Sequence, residues 1–309
     1  MRLRPTHMLP YCAAFGIIFA MPMASAQILS TWTGGASVDR FGNEGNWDEG
    51  VPGAGDTGNV GGSFRVEVGV LNEMNVGATI NMNDSSFIER NNSSGLAFSG
   101  TLNFNDSSAL ISSDFRLQEN STVNWASSGT FTDAGASNQP NFAMLAGSEV
   151  NFSAGTWELF GESNVDVSLL MRAGTFNATG GTLILETRLR VGQDSAATFN
   201  LGKDASLYSG GLFMDQEGSL FDFEVDASYH IASMAQFNAR LDDGFIAIEG
   251  IVQSDMENFT TESVTEDLGF GDVDYTRITA IPEPRAFAAM AGLVALLAFF
   301  VRDRRRQRS

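Results

Sequence analysis

The sequence offers few side chains that are suited to acid–base or nucleophilic catalysis. It contains two histidines, His7 and His230, and one cysteine, Cys12. It contains neither a Gly-x-Ser-x-Gly nucleophile motif nor a His-rich spacing of the kind that binds zinc. Because His230 stands between Tyr229 and Ile231, a strand position is a better interpretation of it than a general base.

The carboxylates and one pair of arginines leave a carbohydrate-active enzyme as the catalytic alternative. Asp and Glu number 37, and a glycosidase needs only two carboxylates at a suitable separation. A polysaccharide lyase needs basic groups beside the developing carbanion, and Arg188 and Arg190 are the close basic pair in the body of the chain. No companion motif accompanies them. We therefore expect no catalytic residue, no cofactor and no enzymatic activity.

Three aspartates near the C-terminus raise the question of calcium, which prefers hard carboxylate oxygens. Asp267, Asp272 and Asp274 stand close to two glycines, but their spacing matches no EF-hand loop. We predict no metal site among them and interpret residues 251–280 as a membrane-proximal stalk.

The acidic balance of the chain excludes one class of partner. The formal net charge is −19, and residues 27–281 hold ten Lys and Arg against 35 Asp and Glu. Such a surface repels the phosphates of nucleic acids and anionic lipids, so we expect no nucleic-acid partner. Solubility is the simplest role for this charge, and diffuse uptake of divalent cations is the alternative.

The N-terminus has the organisation of a secretory signal. A short basic start is followed by an apolar stretch at residues 8–23, and small residues stand at Ala24 and Ala26. This pattern predicts that signal peptidase removes residues 1–26 by cleaving before Gln27. The mature chain then has no cysteine, so its fold must be stabilised without disulfides.

The C-terminus has the organisation of a membrane anchor. Residues 286–301 are an uninterrupted apolar segment, which as a helix would be about 24 Å long against a hydrocarbon core of about 30 Å. Snorkelling arginines can make up the difference, and basic residues after the segment favour a cytoplasmic end over a buried helix. These basic residues are Arg302, Arg304, Arg305, Arg306 and Arg308.

Pro282-Glu283-Pro284 stands directly before the apolar segment. The tripeptide, a short apolar helix and an arginine-rich end together resemble the PEP-CTERM sorting tail, here over residues 281–309. The resemblance implies an exosortase-type membrane protease as partner. It also implies delivery to the cell surface or extracellular matrix of a Gram-negative-type bacterium that makes exopolysaccharide.

A degenerate repeat runs through the body of the chain. An apolar residue followed by Asn recurs at Asn103, Asn124, Asn151, Asn177 and Asn200, at spacings of 21, 27, 26 and 23 residues. Gly-Thr followed by an apolar residue recurs after three of these asparagines, beginning at Gly129, Gly155 and Gly181.

Each repeat contains two short strands, and no convincing amphipathic helix occurs between the termini. We therefore predict an all-β fold, a right-handed parallel β-helix over residues 63–250. We expect roughly eight coils of about 23 residues, with the asparagines stacked inside as an amide ladder. Equivalent inward positions should be Val123, Val150, Phe176 and Phe199. An antiparallel β-sandwich is the alternative.

The segment at residues 27–62 differs from the repeats. Trp32-Thr33-Gly34-Gly35 is followed by Asn46-Trp47-Asp48 and a turn over residues 51–56. This order resembles the opening of autotransporter-like and PEP-CTERM β-solenoid proteins. We interpret Trp32 and Trp47 as aromatic plugs over the first coil, with sugar stacking as the alternative.

These observations predict an exported structural or adhesive protein of the cell surface or the exopolysaccharide matrix of a biofilm. It would be anchored in the membrane before processing. The alternative function is that of a carbohydrate-binding or polysaccharide-cleaving β-helix protein.

Overall fold

Parallel β-strands wind into a solenoid of about seven turns, with one α-helix near its C-terminal end. The computed structural model describes residues 27–36, 39–69, 74–90, 95–112, 114–132, 140–160, 167–268 and 271–282. The parallel solenoid confirms this part of the predicted fold class against the antiparallel sandwich, with about seven turns in place of eight.

The strands, in chain order, are β1 (Leu29–Thr31), β2 (Thr57–Val60), β3 (Arg65–Glu67), β4 (Asn75–Met82), β5 (Phe87–Arg90), β6 (Leu96–Phe104), β7 (Ala109–Ser112), β8 (Phe115–Leu117), β9 (Thr122–Trp125), β10 (Thr130–Thr132), β11 (Phe142–Met144), β12 (Glu149–Phe152), β13 (Thr156–Leu159), β14 (Leu169–Met171), β15 (Gly174–Val191), β16 (Ala197–Met214), β17 (Leu220–Phe223), β18 (Ser228–Ile231), β19 (Ile246–Ile248), β20 (Ile251–Val252), β21 (Phe259–Asp267) and β22 (Asp272–Ala280). A 3₁₀ turn spans Glu44–Asn46, and helix α1 spans Met234–Asp242.

Each full turn contributes a strand to three parallel faces, and the long strands β15 and β16 continue around the corners from one face to the next. Face 1 contains β1, β2, β4, β6, β9, β12, β15, β16, β17 and β19. Face 2 contains β3, β5, β7, β10, β13, β15, β16 and β18. Face 3 contains β6, β8, β11, β14, β15 and β16. With neighbouring strands about 4.8 Å apart, face 1 extends for about 40 Å.

The predicted repeat register of face 1 is confirmed. Val123, Val150, Phe176 and Phe199 are successive partners across β9, β12, β15 and β16. Each is at most 2% exposed and belongs to one continuous core. The rings of Phe176 and Phe199 stack at 5.0 Å, and Phe221 continues the stack at 5.1 Å. The period-two alternation gives face 1 a second inward row, formed by Trp125, Phe152, Ala178 and Leu201.

Glycines make the corner between faces 1 and 2. Gly155 and Gly181 have φ of 74° and 80°, a left-handed conformation that side chains disfavour. A Cβ on Gly155 would lie 2.4 Å from the carbonyl oxygen of Gly129, and one on Gly181 would lie 2.7 Å from that of Gly155. The recurrent glycine of the Gly-Thr motif is thus required by close contact between successive corners.

At the same corner of the turns nearer the N-terminus, aspartate carboxylates accept hydrogen bonds from backbone N–H groups of the neighbouring turn. The side chain of Asp84 accepts a 2.7 Å hydrogen bond from the backbone N–H of Gly62. The side chain of Asp106 accepts one of 3.0 Å from the N–H of Asp84. Part of the acidic excess therefore has a structural use.

The N-terminal end is closed by aromatic rings, as the sequence predicts. Trp32 and Trp47 pack edge to face at 5.1 Å, and the indole of Trp47 donates a 2.8 Å hydrogen bond to the carbonyl of Phe41. The Asp56 carboxylate accepts hydrogen bonds from the N–H groups of Ile28 and Gly53, which lower its pKa. Strands β1 and β2 already belong to face 1, so the solenoid begins within residues 27–62 and before the predicted residue 63.

The C-terminal end corrects two predictions. Helix α1 takes the place of a strand on face 3, where Gln236 accepts a hydrogen bond from the Leu212 N–H and Arg240 donates one to the Met214 carbonyl. The sequence analysis missed this helix because it is only nine residues long and has two buried anchors, Phe237 and Leu241.

The second correction concerns residues 251–280, which are folded onto the solenoid and do not form a separate stalk. β20 pairs antiparallel with β19, and the β21–β22 hairpin pairs antiparallel with β18 through β22. Each face thus ends against an element that does not continue the parallel sheet.

Candidate functional site

His230 lies on the outer side of face 2, beneath the β21–β22 hairpin. Its ring packs against Tyr208 with the centroids 4.2 Å apart, and its Nδ1 lies 3.7 Å from Glu266 Oε1. Glu266 also accepts a 3.1 Å hydrogen bond from the Tyr208 hydroxyl. His230 is 4% exposed, and Tyr275 of the hairpin packs against Tyr208.

Burial controls the protonation of this cluster. It lowers the pKa of His230, and the charge of Glu266 opposes that shift only in part. Burial and the hydrogen bond to Glu266 raise the pKa of Tyr208 to about 12. Within the described residues, Nδ1 of His230 has no hydrogen-bond partner. The geometry suits packing of the hairpin onto face 2, and His230 occupies a strand position as predicted.

The arginine pair that a lyase would need has separate partners on face 3. The guanidinium of Arg188 lies 4.6 Å above the ring of Phe213. Arg190 Nε donates a 2.5 Å hydrogen bond to Asp215. The two side chains are therefore engaged in different contacts.

The aspartates considered for calcium lie at the tip of the β21–β22 hairpin. Asp267 and Asp272 are cross-strand partners, and Asp267 accepts a 3.2 Å hydrogen bond from the N–H of Gly271. Asp274 accepts one of 2.7 Å from the Thr265 hydroxyl. Among the residues that the structure describes, no group of three or more His, Cys, Asp or Glu is arranged to hold a metal ion.

The tryptophans do not form a sugar-stacking surface. Trp32, Trp47, Trp125 and Trp157 are all buried, the most accessible of them at 4%. The plug interpretation fits the first two, and the stacking alternative is wrong because no tryptophan ring faces solvent.

The outer side of face 1 carries a continuous ladder of asparagine side chains. In each step the Nδ2 of one asparagine donates to the Oδ1 of the asparagine one turn earlier, at 2.6–2.9 Å. The members are Asn59, Asn81, Asn103, Asn124, Asn151, Asn177 and Asn200. All are partly exposed. The predicted ladder exists, but its predicted place inside the solenoid is wrong, because the neighbours of inward residues such as Val123 must point outward.

A row of threonines runs beside the ladder, two residues earlier on each strand. These side chains are also partly exposed, and Glu149 interrupts the row on β12. The row contains Thr57, Thr79, Thr101, Thr122, Thr175 and Thr198. The ladder and this row together, called the hydroxyl–amide face below, present polar groups that are repeated at about 4.8 Å.

The ladder stops at a cleft. On the strand after Asn200 the register partner is Asp222, a carboxylate that cannot donate as an amide does. A cleft of about 290 Å³ lies here, and Asn177, Asn200, Asp222, Glu224 and Glu249 are among its lining residues. Sequence analysis missed this cleft, although its signal was present: Leu220-Phe221-Asp222-Phe223 has an aspartate at the asparagine position of the repeat.

The structure describes two of the predicted processing residues, Gln27, which is exposed, and Pro282. Within the described part of the chain, no helix has the length and apolar character needed to cross a bilayer. The other predicted residues lie outside the described residues: Ala24, Ala26, Glu283, Pro284, the apolar segment 286–301, and Arg302, Arg304, Arg305 and Arg306.

Comparison of the chain with family models, with curated proteins and with solved structures gave no match.

Proposed function

We propose that this protein is an exported, non-enzymatic structural and adhesive component of a bacterial exopolysaccharide matrix. The observation that carries the proposal is the hydroxyl–amide face, which offers hydrogen-bonding groups at regular intervals along the solenoid. Polysaccharides present hydroxyl donors and acceptors at regular intervals too. Many weak contacts along one face can therefore retain a polymer without a deep pocket.

The threonine hydroxyls are the groups of this face that are best suited to a sugar hydroxyl. Each asparagine amide inside the ladder already uses one donor and its acceptor in the ladder. The threonine side chains stand beside it on the same surface, partly exposed. A hydroxyl both donates and accepts, so it can form a hydrogen bond with a sugar hydroxyl as the donor or as the acceptor.

Export and sorting belong to the same proposal. Signal peptidase would remove residues 1–26, and an exosortase-type protease would process the Pro282-Glu283-Pro284 tail after the membrane helix at 286–301 has held the chain. The solenoid, right-handed in this proposal, would then reach the cell surface or matrix. The excess of 35 acidic over ten basic residues in residues 27–281 would keep such a protein soluble.

The test removes hydroxyls from the face without changing side-chain shape. Thr101→Val combined with Thr122→Val should weaken retention of the producing cell's polysaccharide by about tenfold, because two hydrogen bonds are lost. Co-sedimentation of the purified protein with the polysaccharide measures this.

The matched control is Thr130→Val combined with Thr156→Val, which makes the same change on face 2. The control should retain the polysaccharide as the unaltered protein does. Equal retention by all three proteins would contradict a role for face 1.

A further inference from the structure

The hydrogen bonds of the asparagine ladder have one direction along the solenoid. All six hydrogen bonds run in the same sense, so each amide oxygen points toward the next turn. Chains of aligned hydrogen bonds polarise one another, which strengthens the acceptor at the terminus. That terminal acceptor is Oδ1 of Asn200, and among the described residues no donor reaches it.

The side chains that meet this oxygen are acceptors as well. Asp222 is the register partner of Asn200, and the exposed side chains of Glu224 and Glu249 line the same cleft. The nearby donors are engaged: the N–H of Gly250 donates to Asp222, and the N–H of Lys203 donates to Glu224.

The one ammonium beside the cleft does not fill it. Lys203 Nζ lies 3.9 Å from Glu224 Oε1, which is beyond hydrogen-bond distance, and both side chains are about half exposed. Two carboxylates, Asp222 and Glu249, and the Asn200 amide oxygen are left facing an open volume. A ligand that fits must bring several N–H or O–H donors, and a positive charge favours its binding.

We propose that this cleft binds the protonated amino group and adjacent hydroxyls of an amino-sugar unit within a polysaccharide. The inference rests on the proposed function and names the kind of sugar that the polymer contains. The cleft volume of about 290 Å³ is near the lower limit for small-molecule sites, which suits one sugar unit. The unit would continue the ladder by donating to Asn200, and the rest of the polymer would lie along the hydroxyl–amide face.

One substitution removes the site by completing the ladder. Asp222→Asn places an amide opposite Asn200, whose Oδ1 it can satisfy, while its own oxygen keeps the hydrogen bond from Gly250. Binding of a glucosamine hexamer, measured calorimetrically where the amine is protonated, should weaken by about tenfold or more. The unfolding temperature of the same variant should rise, because the ladder gains a step.

Two controls distinguish recognition of the ligand's amine in this cleft from general attraction to an acidic surface. An N-acetylglucosamine hexamer has the same backbone without the cationic amine, and it should bind the unaltered protein at least about tenfold more weakly. Asp204→Asn removes an exposed carboxylate that does not line the cleft, and it should leave the affinity unchanged.

Equal binding of the two hexamers, or an equal loss in the Asp204→Asn variant, would overturn the proposal. So would calcium binding that Asp222→Asn abolishes, if the glucosamine hexamer shows no affinity. Retention of the producing cell's polysaccharide without affinity for the glucosamine hexamer would reject the amino-sugar site and leave the proposed function intact.

Discussion

Trp157 is the residue at which the interior is most crowded with rings. It is 1% exposed, and five aromatic side chains lie within 5.5 Å of it, centroid to centroid. They come from three successive turns: Trp125, Phe131, Phe142, Phe152 and Phe176. Trp157→Ala should lower the free energy of unfolding by about 3–5 kcal/mol, as for other packed aromatic side chains.

The control for this prediction is Trp157→Phe. The indole nitrogen is buried and has no hydrogen-bond partner in the described structure, so its loss removes no bond. Urea unfolding should give the Phe variant less than half the cost of the Ala variant. A nearly unchanged free energy of unfolding in Trp157→Ala would show that the ring contributes little to the stability of the core.

His230 should make stability depend on pH. An unfolded histidine takes up a proton near pH 6.5, whereas burial, opposed in part by Glu266 and helped by Arg277, holds the pKa of native His230 lower. The unfolded chain therefore binds more protons below that pH, and the free energy of unfolding falls as the pH is lowered. One pH unit below 6.5 the effect is at most about 1.4 kcal/mol.

The measurement compares urea unfolding at about pH 7.5 and about pH 5.5 for the unaltered protein and for His230→Phe. The phenyl ring can keep the contact with Tyr208 but takes up no proton. The variant should lose less stability over this interval. Identical losses in the two proteins would assign the pH dependence to the carboxylates instead.

At the scale of elements, the asparagine ladder should stabilise face 1 bond by bond. Asn151 both donates to Asn124 and accepts from Asn177, whereas Asn200 makes one ladder bond, to Asn177. At about 0.5–1.5 kcal/mol per hydrogen bond, Asn151→Ala should cost about twice as much as Asn200→Ala. Thermal unfolding of both variants checks the ratio. An equal cost at the two positions would mean that the ladder is not the source of the stability.

Much of face 1 could be predicted from the sequence because six successive strands, β4, β6, β9, β12, β15 and β16, repeat one local pattern. An inward apolar residue, an outward asparagine and a Gly-Thr corner recur often enough to give the register at Val123, Val150, Phe176 and Phe199. The error about the asparagines was one of direction only. Adjacent residues on a strand face opposite sides, so an inward Val123 requires an outward Asn124.

The C-terminal elements and the cleft could not be predicted in the same way. Helix α1 has two buried anchors, Phe237 and Leu241, too few to establish a helical period. The apolar residues of the β21–β22 hairpin pack in two places that its sequence does not distinguish. Tyr275 packs with Ile184 and Tyr208 outside face 2. Phe259, Ile278 and Ala280 belong to the main core. The cleft depends on how Asp222 meets Asn200 across turns, which is a property of the assembled coil.

At the scale of the whole molecule, we propose that the tail determines where the solenoid is delivered. In the proposed route the Pro282-Glu283-Pro284 motif is the recognition element of the protease. Glu283→Ala in the native host should therefore leave a longer, membrane-retained protein. Cell fractionation and mass spectrometry of the C-terminal peptide measure this.

The matched control is Glu257→Ala, an acidic substitution before the tail at an exposed position. This variant should be processed normally. An intact Arg308 on the unaltered protein at the cell surface would contradict proteolytic sorting.

The two closed ends have a consequence for how such a chain can change in length. Each strand of faces 1 to 3 pairs only with neighbouring turns, the aromatic plug lies at the first turns, and the antiparallel C-terminal elements contact the last turns as far back as Ile184 on β15. Duplicating one internal turn, such as the residues from Thr101 to Ser121, would lengthen the rod by about 4.8 Å and insert one step of the ladder without disturbing either end. The reach of the protein is therefore a quantity that gene duplication can adjust in equal steps, with its ends and its surface chemistry held constant.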